Sequence, residues 1–113
     1  METIDKAVFD DLRDTAGVDF VAELVDTFFE EAPRILADLR SALDTADAER
    51  YRRAAHSLKS NGDTFGASDF AARARAIEVG GFATEPAKDR AAVDALEAAY
   101  ARAAGELKAL THG

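Results

Sequence analysis

The sequence predicts an all-α protein: an antiparallel up-down-up-down four-helix bundle with a short N-terminal helix packed on it. Three observations carry that prediction. The composition is rich in alanine and poor in β-branched residues, which favours helix. Apolar residues recur at steps of three and four in five successive segments, the period of a helix with one buried face. Between the segments stand Gly17, Asp47, Gly66 and Gly80-Gly81, residue types that end or cap helices. The 113 residues are one domain's worth, read as a single domain over 1–113, and a hydrophobic share of 48% is enough for a core.

The first helix is predicted over residues 5–14. Asp5 caps it, Val8, Phe9 and Leu12 give it an apolar side, and Gly17 marks its end. It is too short to stand alone and must lean on a neighbour. The second runs from about Asp19, its N-cap, to Ala46. Its apolar residues fall on two adjacent stripes: Val21, Leu24, Phe28, Ile35 and Leu39, then Val25, Phe29, Ala32, Leu36 and Leu43. A bundle core consumes one stripe, so the first helix is the nearest cover for the second. Pro33 removes one backbone donor and bends this helix without ending it, because the periodicity resumes at once.

Asp47 caps the third helix, whose buried line is Tyr51, Ala55, Leu58, Gly62 and Phe65. Gly66 supplies a left-handed C-terminal residue and Ser68 caps the fourth helix. So short a turn lays these helices antiparallel. Phe70, Ala74 and Ile77 line the fourth helix, which Gly80-Gly81 ends. Thr84-Glu85-Pro86 opens the fifth, where proline in the first turn is tolerated. Val93, Leu96, Tyr100, Ala103, Leu107 and Leu110 make its stripe, and Thr111-His112-Gly113 should fray.

The third helix also carries the chemistry. His56 lies about 200° around from Leu58 on a helix turning about 100° per residue, so its ring points to solvent. Arg52, Lys59 and Ser60 stand one turn away on the same face. Helical side chains lean toward the N-terminus, so Lys59 and Ser60 lean over His56. Histidine titrates near pH 6.5 when unperturbed, and its free base is a nucleophile. An exposed imidazole beside a cation suits accepting and holding a phosphoryl group, with Lys59 balancing the new charge. The segment from Arg50 to Lys59 holds Arg50, Arg52, Arg53 and Lys59 and no acid, in a chain of net charge −8.

The run His56-Ser57-Leu58-Lys59-Ser60-Asn61-Gly62-Asp63-Thr64-Phe65-Gly66-Ala67 resembles the signature of histidine phosphotransfer (HPt) domains, roughly H-x-L-K-G-S-[SA]-x-x-[apolar]-G-A. His56, Leu58, Lys59, Phe65, Gly66 and Ala67 fit it. Ser60 stands where the family most often has glycine, and Gly62 where it often has serine or alanine. The helix order is similar to the family's along nearly the whole chain. The resemblance implies a phosphorelay intermediate. His56 would accept a phosphoryl group on Nε2 from an aspartyl phosphate of one receiver domain and pass it to another. Lys59 would stabilise the phosphoryl charge, and Ser60 would keep the approach open. Arg52, Ser60 and a partly exposed Leu36, level with His56 across the second and third helices, are the expected docking residues for the receiver.

Partners are therefore expected to be receiver domains of response regulators or hybrid histidine kinases, meeting a monomer. No cofactor is expected on this chain; the acidic pocket and Mg²⁺ that organise transfer belong to the receiver, as the resemblance implies. The competing reading is a helical adaptor without chemistry, which acid-labile, base-stable phosphate on His56 would exclude. A sensor-kinase dimerisation domain fits less well, because Ser57 and Leu58 rather than an acid follow the histidine. No nucleotide-binding glycine motif is present. Metal binding is not expected: Arg53, not glutamate, precedes His56 by three residues, and the other histidine is His112. Cysteine is absent, so there is no thiolate site or disulfide. The net negative charge argues against nucleic acid. No apolar run suits a membrane span and the N-terminus has no signal pattern, so the expected location is cytoplasmic.

Overall fold

Five helices form where the apolar periodicity lies, and among the described residues there is no strand. The computed structural model describes residues 3–82 and 85–112, apart from the His112 side chain. The helices are α1 (Lys6–Ala16), α2 (Val18–Asp44), α3 (Ala48–Phe65), α4 (Ser68–Gly80) and α5 (Pro86–His112). Helices α2 to α5 each touch their chain neighbours, and α2 also meets α5, which closes a four-membered ring. Helix α1 packs on α2 and α3. Tyr51 meets Phe82, His56 meets Glu78 and Gly62 faces Phe70, so numbers rise along α3 as they fall along α4. The pair is antiparallel. At about 1.5 Å per residue, the 27-residue α2 and α5 each span nearly the whole 43 Å length of the molecule.

Local signals account for most boundaries. The Asp5 carboxylate accepts from the Ala7 amide, and that of Asp47 from the Arg50 amide. Gly66 ends α3 at φ 76, with the amide of Ala67 bonded to the Gly62 carbonyl and that of Gly66 to Asp63. Its carbonyl also accepts from the Asp5 amide at 2.7 Å, which pins the start of α1 to the α3–α4 corner. Helix α2 runs unbroken through Pro33.

Other boundaries differ from expectation. Asp19 lies inside the first turn of α2 and is not its cap. Gly17, at φ 94, both ends α1 and starts α2. The Asp19 carboxylate still sits where the helix dipole favours an anion. Helix α2 stops at Asp44 because Ala46 takes φ 55. Ser68 is the first residue of α4 rather than its cap; its hydroxyl turns back to the Gly66 carbonyl at 3.3 Å. The expected fraying stops short: α5 continues through His112, with the Thr111 hydroxyl bonded to the Leu107 carbonyl at 2.9 Å. Thr84 and Gly113 lie outside the described residues.

The core of α2 is a single line, Val21, Val25, Phe28, Ala32, Leu36, Leu39 and Ala42. It runs between the two stripes read from the sequence and takes members of both. Leu24, Phe29, Ile35 and Leu43 flank it, half-buried. Leu36 is thus a correction: it is 5% exposed, not an open contact. Its phase turns it toward α5, beside Tyr100 and Glu97, rather than toward the His56 helix. Phe28 gathers Phe65, Phe70 and Tyr100 at ring separations of 5.3, 6.0 and 5.5 Å, so one aromatic cluster joins all four bundle helices.

Candidate functional site

Helix α3 holds its working face outward because its opposite face is fully committed. Tyr51, Ala54, Ala55 and Leu58 are buried. That leaves His56 with a side chain 56% exposed. Gly62 lets α4 come close: a Cβ there would lie 2.9 Å from the Phe70 ring and 3.1 Å from the Ala71 Cβ. This close approach brings Glu78, near the end of α4, across to the histidine. Its Oε2 sits 2.7 Å from His56 Nδ1, and the glutamate is only 19% exposed.

A carboxylate can only accept, so a neutral ring that donates to it here carries its proton on Nδ1 and its lone pair on Nε2. The contact fixes the ring from behind. The sequence reading missed Glu78. The signal was available: His56 precedes Gly66 by ten residues and Glu78 follows it by twelve, so counting from the turn pairs them.

Of the other predicted site residues, Arg52 and Ser60 are exposed on α3 and Lys59 is half-buried. Lys59 Nζ lies 3.7 Å from the Asp63 carboxylate, a loose pair within the helix. Arg52 and Arg53 have no ion pair among the described residues, whereas Arg50 is engaged by Asp38 at 3.0 Å. The structure therefore keeps His56, Arg52, Lys59 and Ser60 on one helix and sets Leu36 apart from them. On α2, the half-buried Ile35 lines a groove with Arg53, Ala54 and Ser57 of α3. A second open groove, between α3 and α4, is lined by Lys59, Asp63, Ala72, Arg75 and Val79. Arg75 has no ion pair among the described residues.

Among the described residues no group of three or more His, Asp or Glu side chains could hold a metal ion. No helix among them is long and apolar enough to cross a membrane.

Searches of curated proteins and of solved structures return no match. A family model, described as the Hpt domain, matches residues 23–109. The match begins within α2 and ends within α5, so it covers the four-helix ring and the whole of the His56 helix. Over that span the chain is a histidine phosphotransfer domain, and it belongs to the Hpt domain family.

Proposed function

We propose that this protein is a relay intermediate that carries a phosphoryl group between receiver-domain aspartates on Nε2 of His56. The observation that supports this best is the exposed imidazole whose Nδ1 faces the Glu78 carboxylate, leaving Nε2 outward. The nucleophile is His56. Lys59, one turn away and leaning toward it, balances the phosphoryl charge once its loose contact with Asp63 yields. Ser60 leaves room for the incoming aspartyl phosphate. Arg52 and Ile35 are the docking contacts, with Ile35 taking the role first given to Leu36.

The protein has no autokinase activity in this reading. The acidic pocket and the Mg²⁺ that organise in-line transfer come from the receiver. It acts as a monomer in the cytoplasm, with receivers of response regulators or hybrid kinases as partners.

Mixing the purified protein with a phosphorylated receiver tests the proposal. Acid-labile, base-stable phosphate should appear on the wild type and be absent from His56→Gln, which keeps size and polarity but removes the imidazole. Lys59→Ala should slow labelling without abolishing it. Labelling of the Gln variant would show that another residue is the acceptor. Incubation with ATP alone should give no label.

A further inference from the structure

Lys59 leans by its backbone geometry toward His56, yet its ammonium is drawn the other way. A helical side chain covers the turn N-terminal to its own Cα, which for Lys59 is the turn of His56. In the structure Nζ instead lies 3.7 Å from the Asp63 carboxylate, one turn C-terminal. The pair is loose and open to water, so it yields easily. Both side chains line the groove between α3 and α4, and so does Arg75. Counting from the His56–Glu78 contact along the antiparallel pair puts Lys59 level with Arg75, and Asp63 level with Ala71. Arg75 leans toward the N-terminus of α4, which is toward the level of Asp63. It is exposed and has no ion pair among the described residues. Arg73, the other arginine of α4, is tied to Asp69 at 3.1 Å.

We propose that Asp63 and Arg75 form a charge hand-over that sets when Lys59 is free to serve His56. With the histidine unloaded, Asp63 holds Lys59. When Nε2 carries a phosphoryl group, its negative charge draws Lys59 back along its natural lean, and Arg75 takes the place of Lys59 on Asp63. This rests on the reading of His56 as the phosphoacceptor and adds two positioning residues to it. Both act through Lys59, and neither touches the reacting atoms.

The charges balance in both states. Lys59 is neutralised by Asp63 before transfer and by the phosphoryl oxygens after it, while Asp63 keeps a cation throughout. Without Arg75, release of Lys59 would leave the Asp63 carboxylate uncompensated on the face of α3 that holds the phosphoryl group. Asp63 stands two turns beyond His56, about 10 Å along the axis, so its direct repulsion through water is weak and its effect runs mainly through Lys59. The neighbouring charges are placed elsewhere. Arg52 is three turns from Asp63, on the far side of His56, and Glu78 is engaged by His56 itself.

Labelling of the purified protein with phosphoramidate tests this without any receiver. There the Nε2 lone pair attacks phosphorus, the P–N bond breaks and ammonia departs. Asp63→Asn frees Lys59 and should label faster than the wild type by about two- to fivefold, the range that exposed ion pairs support. Arg75→Gln should label more slowly by a similar factor. Two double variants separate a hand-over from simple surface charge. In a Lys59→Ala background Asp63→Asn should change nothing, and in an Asp63→Asn background Arg75→Gln should change nothing. Asp63→Glu keeps the charge and should restore the wild-type rate. At about 1 M salt, where screening acts within about 3 Å, the differences should vanish. Equal rates in the wild type and Asp63→Asn, or a gain that survives in the Lys59→Ala background, would overturn the role of Asp63. Additive effects of Arg75→Gln and Asp63→Asn would overturn that of Arg75. A wild type that phosphoramidate leaves unlabelled at His56 would instead overturn the phosphoacceptor reading, and the hand-over with it.

Discussion

In the proposed relay, the space above the histidine is limited by Ser60, which is exposed on α3 one turn beyond His56. In-line transfer holds the reacting atoms about 3 to 3.5 Å apart, and a displacement of about 1 Å can cost about 100-fold. Serine adds one heavy atom beyond Cβ. Ser60→Gly should keep most of the transfer rate, at a helix cost of roughly 0.5 kcal/mol. Ser60→Gln should lose transfer severely and melt normally. Transfer from a purified receiver, measured beside thermal melts, checks both; a wild-type rate in the Gln variant would put position 60 outside the contact zone. Leu36 belongs to a different kind of residue. At 5% exposure its truncation should act on stability, so Leu36→Ala should cost about 2 to 5 kcal/mol in denaturant melts. The His56 face was legible because one helix carries it and its spacing is fixed. Leu36 was misread because two adjacent stripes on α2 are only a small rotation apart, and which line is buried depends on three neighbouring helices. Glu78 went unread because it enters from α4, and pairing it with His56 takes a count across the Gly66 turn rather than any local pattern.

At the scale of the element, the two corners flanking α3 use the same capping motif with different residues. After α2, the Asp47 amide bonds to the Ala42 carbonyl and the Ala46 amide to Leu43. After α3, the Ala67 and Gly66 amides bond to Gly62 and Asp63 in the same pattern. The left-handed residue is Ala46 at φ 55 in the first and Gly66 at φ 76 in the second. An L-residue pays about 1 to 2 kcal/mol in that conformation. Ala46 is exposed, so Ala46→Gly should raise stability, by up to about 1 kcal/mol after the larger entropy lost by glycine on folding. Gly66→Ala should do the reverse, and more strongly. Its Cβ would lie 2.8 Å from the Asp5 carbonyl and 3.0 Å from the Val8 side chain, so α1 would have to move as well. Equilibrium melts of the two variants check the pair. The glycine corner was readable in advance. The alanine corner was not, because alanine is a strong helix former and its left-handed turn is imposed by the packing of α2 against α3.

Across the whole molecule, burial couples the fold to alkaline pH through Tyr51. The helix order and the closed ring were readable from period and punctuation, but this coupling was not, because it depends on how tightly the ends of α3, α4 and α5 close over one ring. Tyr51 is 1% exposed, packs on Phe82 at 4.8 Å, and has Asp89 among its neighbours. Loss of water around its hydroxyl, reinforced by the Asp89 charge, pushes its pKa up to about 12. Tyr100, in the aromatic cluster, is raised by burial as well. In the unfolded chain tyrosine ionises near pH 10. A group that must stay neutral to remain buried contributes its full stability below that value and loses it as pH rises toward the folded value. Folding should therefore be undisturbed by these tyrosines up to about pH 9 and weaken between about pH 10 and 12. At about 1.4 kcal/mol per unit, the displacement of Tyr51 corresponds to roughly 2 to 3 kcal/mol. Tyr51→Phe removes the ionisable hydroxyl and keeps the ring. Its melting temperature should fall less steeply than the wild type's across that alkaline window, with a residual slope from Tyr100. Parallel slopes for the two proteins from pH 9 to 12 would show that Tyr51 ionises as freely in the bundle as in the unfolded chain.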